Sequence, residues 1–246
     1  MTTEPTSLTT ALHKLLARAI GTAGGWIGFD RFMALALYAP GLGYYANDRA
    51  KFGTMPEGVQ GEGSDFVTAP ELTPLFGQAL AAQVAEALAQ TGTDEVWEFG
   101  AGSGALALQL LDALGDRVKR YTIVDLSSTL RARQQALLVK HGDKVRWVSE
   151  LPDALQGVVV GNEVLDAMPV KLLARQGGHT GGVWFERGVA LEGEALAWAD
   201  RPTDLRPPVD VEGPHDYLTE IHPQAEAFIA TLADRLNASL RSGGQG

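Results

Sequence analysis

The sequence predicts an α/β protein: a parallel sheet with helices on both faces, a helical N-terminal extension and an antiparallel β insertion. Three observations carry this. From Asp94 onward short apolar runs alternate with helical patterns, the signature of right-handed strand–helix–strand crossovers. The run Gly157-Val158-Val159-Val160-Gly161 is too apolar for an exposed sheet edge. After Met168-Pro169 the texture changes to short strand-like runs separated by glycine-rich turns, which reads as antiparallel pairing.

Taken in order, Leu8, Leu12, Leu15, Leu16 and Ala19 fall on one face of a helix over 7–22, closed by Gly21 and Gly24-Gly25. Lys14 and Arg18, with Glu4 the one acid before Asp30, give this stretch a faint likeness to a transit peptide; the amphipathic helix is the favoured reading. A second helix over Asp30–Tyr38 stops at Pro40-Gly41. Gly43-Tyr44-Tyr45 follow, and then a polar, glycine-rich stretch from Asn47 to Asp65 without periodicity, expected to be a loop: a plain surface insertion or a lid. Phe66–Glu71 leads into a helix with Thr73 as N-cap and Pro74 in its first turn. Phe76, Leu80, Val84 and Leu88 recur every four positions and mark its buried face.

The alternating region reads as strand Val96–Phe99, helix Gly104–Leu114, strand Arg120–Asp125, helix Ser127–His141 capped by Ser127 or Ser128, strand Val145–Val148 and strand Gly157–Gly161. Val170–Arg175, Gly182–Arg187 and Ala195–Ala199 are expected as short strands of an insertion spanning 170–213, with Arg201–Pro214 irregular. Pro223–Leu240 is a helix with Ala225, Phe228, Ile229, Leu232, Leu236 and Leu240 on one face. It runs into Ser242–Gly246 with no strand after it, so the sequence is expected to be cut off within the fold. The expected division is 1–92 and 93–246.

Composition narrows the function. A net charge of −10 over 246 residues, with no Lys/Arg cluster, disfavours broad nucleic-acid binding. With no cysteine in the sequence, disulfides, zinc–thiolate sites and Cys nucleophiles are excluded, and no metal site is expected. No apolar run approaches the ~20 residues of a membrane helix, so no membrane insertion is expected.

The chemistry concentrates in three places. Glu98-Phe99-Gly100-Ala101-Gly102-Ser103-Gly104 is a strand-to-helix turn with three alternating glycines, where backbone can approach a ligand and free N–H groups face it. It lacks the G-x-G-x-x-G spacing of a pyrophosphate binder. The compact turn, preceded by an acid, suits a nucleoside without phosphate: S-adenosylmethionine, with Glu98 expected near its cationic methionine end, through water. Asp125 ends the next strand, 21 residues after Gly104, where an acid accepts hydrogen bonds from both ribose hydroxyls. Leu126 beside it joins the expected cofactor-binding set. Gly161-Asn162-Glu163-Val164-Leu165-Asp166-Ala167-Met168-Pro169 follows an apolar strand, and polar groups there are costly without a task. Asn162 or Glu163 could reach the cofactor; Asp166 could orient a substrate nitrogen or take its proton.

Together, Gly43-Tyr44-Tyr45, Asp65–Leu72, Phe76-Gly77, Glu98–Gly104 and Asn162–Pro169 resemble the MidA-like methyltransferases over nearly the whole chain. The resemblance implies a Rossmann-like class I fold dependent on S-adenosylmethionine. It also implies methylation of a protein arginine, the activity of mitochondrial members that act in assembly of respiratory complex I. Glu98, Gly100, Gly102 and Gly104 then match the cofactor turn and Asp125 the ribose acid. Asn162, Glu163 and Asp166 match the motif beside the transferred methyl, and Glu71 the N-terminal acid. Glu71, Glu163 and Asp166 are thus the expected catalytic acids, since carboxylates can hold a guanidinium and accept its proton. Family members continue beyond the final helix with a strand carrying an acid. A bacterial cytoplasmic setting is expected ahead of the mitochondrial matrix. Two other readings stay open: a cofactor-binding assembly factor that transfers no methyl, and an NAD-type oxidoreductase, against which the missing pyrophosphate spacing argues.

Overall fold

The computed structural model describes residues 8–46, 67–125, 128–177, 182–209 and 213–243. The expected loop over Asn47–Asp65, Phe66, Leu126 and the alternative cap Ser127 lie outside the described residues. The chain runs α1 (Leu8–Thr22), β1 (Trp26–Gly28), α2 (Phe29–Tyr38), α3 (Ala69–Leu72), α4 (Pro74–Thr91), β2 (Glu95–Phe99), α5 (Ala105–Leu114) and β3 (Arg120–Val124). It continues through α6 (Ser128–Leu137), β4 (Val145–Val148), β5 (Val158–Gly161), β6 (Lys171–Gln176), β7 (Val183–Glu192), β8 (Ala195–Pro202), β9 (Tyr217–Ile221) and α7 (Pro223–Gly243).

These elements form two compact units. One holds 1–48 and 165–228, the other 49–164 and 229–246. The division expected at residue 92/93 does not coincide with this partition. The reason is a pairing between distant segments: β1, near the start of the sequence, pairs antiparallel with β7, Ile27 opposite Val189. A Cβ on Gly188 would lie 2.2 Å from the Ile27 carbonyl oxygen, so glycine is what allows β1 to approach.

The unit holding 49–164 contains the parallel sheet, in the order β4-β3-β2-β5. All three pairings are parallel. The order reverses between β2 and β5, the switch point at which open α/β sheets bind ligands beyond the strands' carboxyl ends. Val96, Tyr121, Ile123 and Val160 pack against Val84 and Leu88 of α4 and Leu106, Leu110 and Leu111 of α5. Thr73 caps α4 by accepting from the Leu75 N–H, with Pro74 at the start, as expected. α6 is shorter than expected, its last residues forming a separate 3-10 turn over Val139–His141.

The unit holding 165–228 carries a five-stranded antiparallel sheet in the order β1-β7-β6-β9, with β8 paired to β7. The expected insertion strands are present, but β7 runs on to Glu192 and two further strands, β1 and β9, join them. Gly193, at φ 63°, makes the tight turn from β7 to β8. Arg201 and Pro202, expected to be irregular, end β8. Ile20, Ile27 and Val189 form this sheet's buried cluster, with Phe32, Leu35, Leu191 and Leu196 around it.

α4 crosses α5 at a glycine. The Gly77 N–H donates to Gln109 Oε1 at 3.0 Å, and Gln109 Nε2 donates to the Pro70 carbonyl at 2.7 Å. A Cβ on Gly77 would lie 2.3 Å from Gln109 Cβ. Gly77→Ala therefore has to push the two helices apart. Chemical denaturation is expected to show a loss of about 1–3 kcal/mol; an unchanged midpoint would mean that the crossing is slack.

Candidate active site

The turn after β2 is built from backbone that L side chains disfavour. Gly100, Gly102 and Gly104 stand at φ 66°, 53° and 91°. Each face of the turn is also occupied. A Cβ on Gly100 would lie 2.9 Å from Val164 Cγ2, and one on Gly104 would lie 3.4 Å from Gln134 Cγ. Val164 also packs over Gly161, so the chain leaving β5 closes directly on the glycine turn.

Ser103, inside the turn, donates from its hydroxyl to the Glu71 carboxylate and accepts the N–H of Ala105, the first residue of α5, at 3.2 Å. The structure thus places Glu71, expected as a catalytic acid, on the glycine turn. The Pro70 carbonyl is held by Gln109 of α5. The segment Thr68–Leu72 is therefore fastened at two points, to the turn through Glu71 and to α5 through Pro70.

Glu98 does not face open solvent. It is 1% exposed, beneath the turn, and accepts the Tyr121 hydroxyl at 2.8 Å. Burial pushes its carboxyl up to about 7, a rise that the Tyr121 hydrogen bond partly opposes. Burial likewise raises Tyr121, and the neighbouring carboxylate adds to the effect. Buried and bonded to Tyr121, Glu98 supports the end of β2, just before the turn, from inside.

Asp125 follows β3, where the sequence places it. Its Oδ2 accepts from Gln134 Nε2 at 2.9 Å. The same nitrogen donates to the Gly102 carbonyl at 2.9 Å. Gln134 and Ser103 were not among the expected site residues. Gln134 did leave a signal: it is the polar member of an i, i+4, i+8 stripe, Leu130–Gln134–Leu138, that is otherwise apolar.

Beyond β5 the expected residues divide between the two units. Asn162, half-buried, and Glu163, exposed, belong with the parallel sheet. Glu163 has φ 53°, a left-handed backbone on a residue that rarely adopts it, as is common at functional turns. Asp166, exposed, belongs with the antiparallel sheet. Its turn is pinned at adjacent carbonyls: the Tyr38 hydroxyl donates to Ala167 at 2.6 Å and His222 Nε2 to Met168 at 3.1 Å. Tyr38 stacks on Tyr45 with ring centroids 5.6 Å apart, and Tyr44 meets Tyr45 edge-on at 5.0 Å. Tyr38 and Tyr45 remain 43% and 38% exposed. Burial raises the Tyr38 hydroxyl, and the fields of Tyr45 and Asp166 raise it further. Among the described residues there is no cluster of acids and histidines able to hold a metal, and no helix is long and apolar enough to cross a membrane.

A glycine turn with an acid after the next strand, at the switch point of a parallel sheet, defines a nucleoside-binding α/β domain. The comparisons name the family. Residues 79–244 match the model described as "Putative S-adenosyl-L-methionine-dependent methyltransferase", and the chain belongs to that family. A crystal structure of a protein from Burkholderia thailandensis bound to S-adenosyl-homocysteine is 45% identical, with a TM-score of 0.80, over 96% of this chain and 62% of that one. The mitochondrial protein arginine methyltransferase NDUFAF7 homolog of Caenorhabditis elegans is 29% identical over 69% of this chain and 44% of its own length. Protein arginine methyltransferase NDUFAF7 of Danio rerio is 25% identical over 94% of this chain and 60% of its own length. The chain thus spans less than two thirds of each of these proteins.

Two outcomes follow from the geometry. The folded-state acid of Glu98 is raised from its usual 4.5 to about 7, so the folded protein holds a proton that the unfolded chain has lost. Its contribution to stability is complete below pH 4.5 and is lost as pH rises to about 7. Glu98→Gln should flatten that part of a stability–pH curve, by on the order of 3 kcal/mol in all; a curve identical to wild type would contradict the buried placement. Glu163→Gly relieves the left-handed backbone and should raise stability by about 1 kcal/mol in chemical denaturation. A loss instead would mean that the Glu163 side chain, and not packing around the turn, holds this conformation.

Proposed function

We propose that this chain binds S-adenosylmethionine over the glycine turn and belongs to an enzyme that methylates a protein arginine. The observation that carries the cofactor reading is the convergence of the Gly100–Gly104 turn, Asp125 and the end of β5 at the sheet's switch point. The ligand in the Burkholderia thailandensis structure supports it. The arginine reading rests on the names of the mitochondrial relatives and on local chemistry. Asp166 stands on a turn pinned by Tyr38, beside stacked, exposed tyrosine rings. A carboxylate next to open aromatic faces suits a guanidinium, which pairs with the one and stacks on the other.

S-adenosylmethionine supplies an electrophilic methyl on its sulfonium. In this reading the chain's residues do the rest. Asp125 accepts the ribose hydroxyls. The turn's N–H groups and Asn162 hold the amino-acid end and the adenosine. Glu71 acts through Ser103 on the shape of the turn. Asp166 orients the guanidinium beside the tyrosine rings and, as a carboxylate, is able to accept a proton from it. Glu163 sets the course of the chain between Asn162 and Asp166. A link to respiratory-complex assembly would follow from the partner methylated. An assembly factor that binds cofactor without transferring methyl would need the cofactor site but not the Asp166 carboxylate.

Calorimetry with S-adenosylhomocysteine tests the first step. The full chain should bind it, and Asp125→Ala should weaken binding about 100-fold, the value of two hydrogen bonds to a charged acceptor. A folded protein that ignores the ligand, or an Asp125→Ala variant that binds normally, would contradict the proposal.

A further inference from the structure

The deepest polar side chain near the glycine turn belongs to none of the motifs. Gln134, on α6, is 0% exposed. Its amide makes three hydrogen bonds, each to a different segment. Nε2 donates to the Gly102 carbonyl and to Asp125 Oδ2, both at 2.9 Å. Oε1 accepts from Trp147 Nε1 at 2.8 Å.

Trp147 fixes which end of the amide points where. An indole nitrogen only donates, so the oxygen must face β4 and both N–H groups must face the turn and the acid. Both donors are then used, each on one acceptor. A buried amide costs free energy unless it is satisfied, and this one is satisfied only when Gly102 and Asp125 stand where they do. The aliphatic part of Gln134 also fills the space against Gly104, whose added Cβ would lie 3.4 Å from Gln134 Cγ.

We infer that Gln134 is a positioning residue for the ribose of the bound nucleoside. It sets the distance between the glycine turn and the Asp125 carboxylate, and it fixes the rotation of that carboxylate by holding Oδ2. This inference rests on the reading that Asp125 receives the ribose. The ligand class it serves is a nucleoside with a free cis-diol; a deoxyribose would gain less from an oriented carboxylate.

The test compares two ligands in calorimetry, S-adenosylhomocysteine and its 2′-deoxyribose analogue, on the full chain and on two variants. Gln134→Met keeps the length of the side chain and removes every polar atom. Trp147→Phe keeps Gln134 and removes the donor that orients it. Wild type should prefer the ribose ligand about tenfold, the value of one hydrogen bond. Gln134→Met should lose most of that preference, and Trp147→Phe part of it, with thermal unfolding confirming that each variant is folded. If Gln134→Met does not fold, Trp147→Phe alone decides. Equal weakening of both ligands, with the preference intact, would make Gln134 a structural residue only and overturn the inference while leaving the cofactor reading in place. No binding of either ligand to folded wild type would overturn both.

Discussion

The parallel-sheet unit depends on one backbone constraint, the left-handed conformation of Gly100, Gly102 and Gly104. A chain that turns this sharply between β2 and α5 needs glycine at these three positions, and neighbouring side chains lie against two of them. Val164 closes on Gly100, and Gln134 on Gly104. Ser103, the one side chain in the turn with a hydroxyl, ties it to Glu71. Glu98 lies underneath, buried and bonded to Tyr121. The glycine turn, the segment around Glu71, Asp125 and the exit of β5 are thus tied together.

That arrangement has consequences for how acids are used. Three carboxylates that resemble one another in the sequence stand in different environments. Glu98 is a buried acid, raised to about 7 by loss of solvent. Asp125 is held by a buried amide. Asp166 is exposed on a turn pinned through Tyr38 and His222. Environment, not residue type, sets these three carboxylates apart.

Much of this was legible in the sequence. The glycine turn was, because only glycine adopts that backbone cheaply and the spacing survives as letters. Thr73-Pro74 marked the start of α4 for a similar reason, since a cap and a fixed φ are local chemistry. Asp125 followed from its distance to the turn. What was not legible is what distant segments decide. β1 has three residues and is a strand only because β7 lies beside it. β9, Tyr217–Ile221, is short and exposed, and pairs with β6 across forty intervening residues of other structure. The tethering of Glu71 to Ser103, and Gln134's three bonds, depend on which helices meet. The only sequence trace of Gln134 was a polar residue on an apolar stripe.

A groove of about 940 Å³ also runs along α5 in the parallel-sheet unit, with Glu71 and Ser103 at its edge and Gln78, Asp112, Arg133 and Leu137 along its walls. Its walls do not include Gly100, Asp125 or Asn162. In the proposed function the cofactor sits at the strand ends and not in this groove. Backbone amide chemical-shift mapping on titration with S-adenosylhomocysteine separates the two directly. The largest shifts should fall at Gly100, Gly102, Gly104, Asp125 and Asn162. Shifts concentrated at Gln78, Asp112 and Arg133, with the glycine turn unmoved, would contradict cofactor binding over the turn.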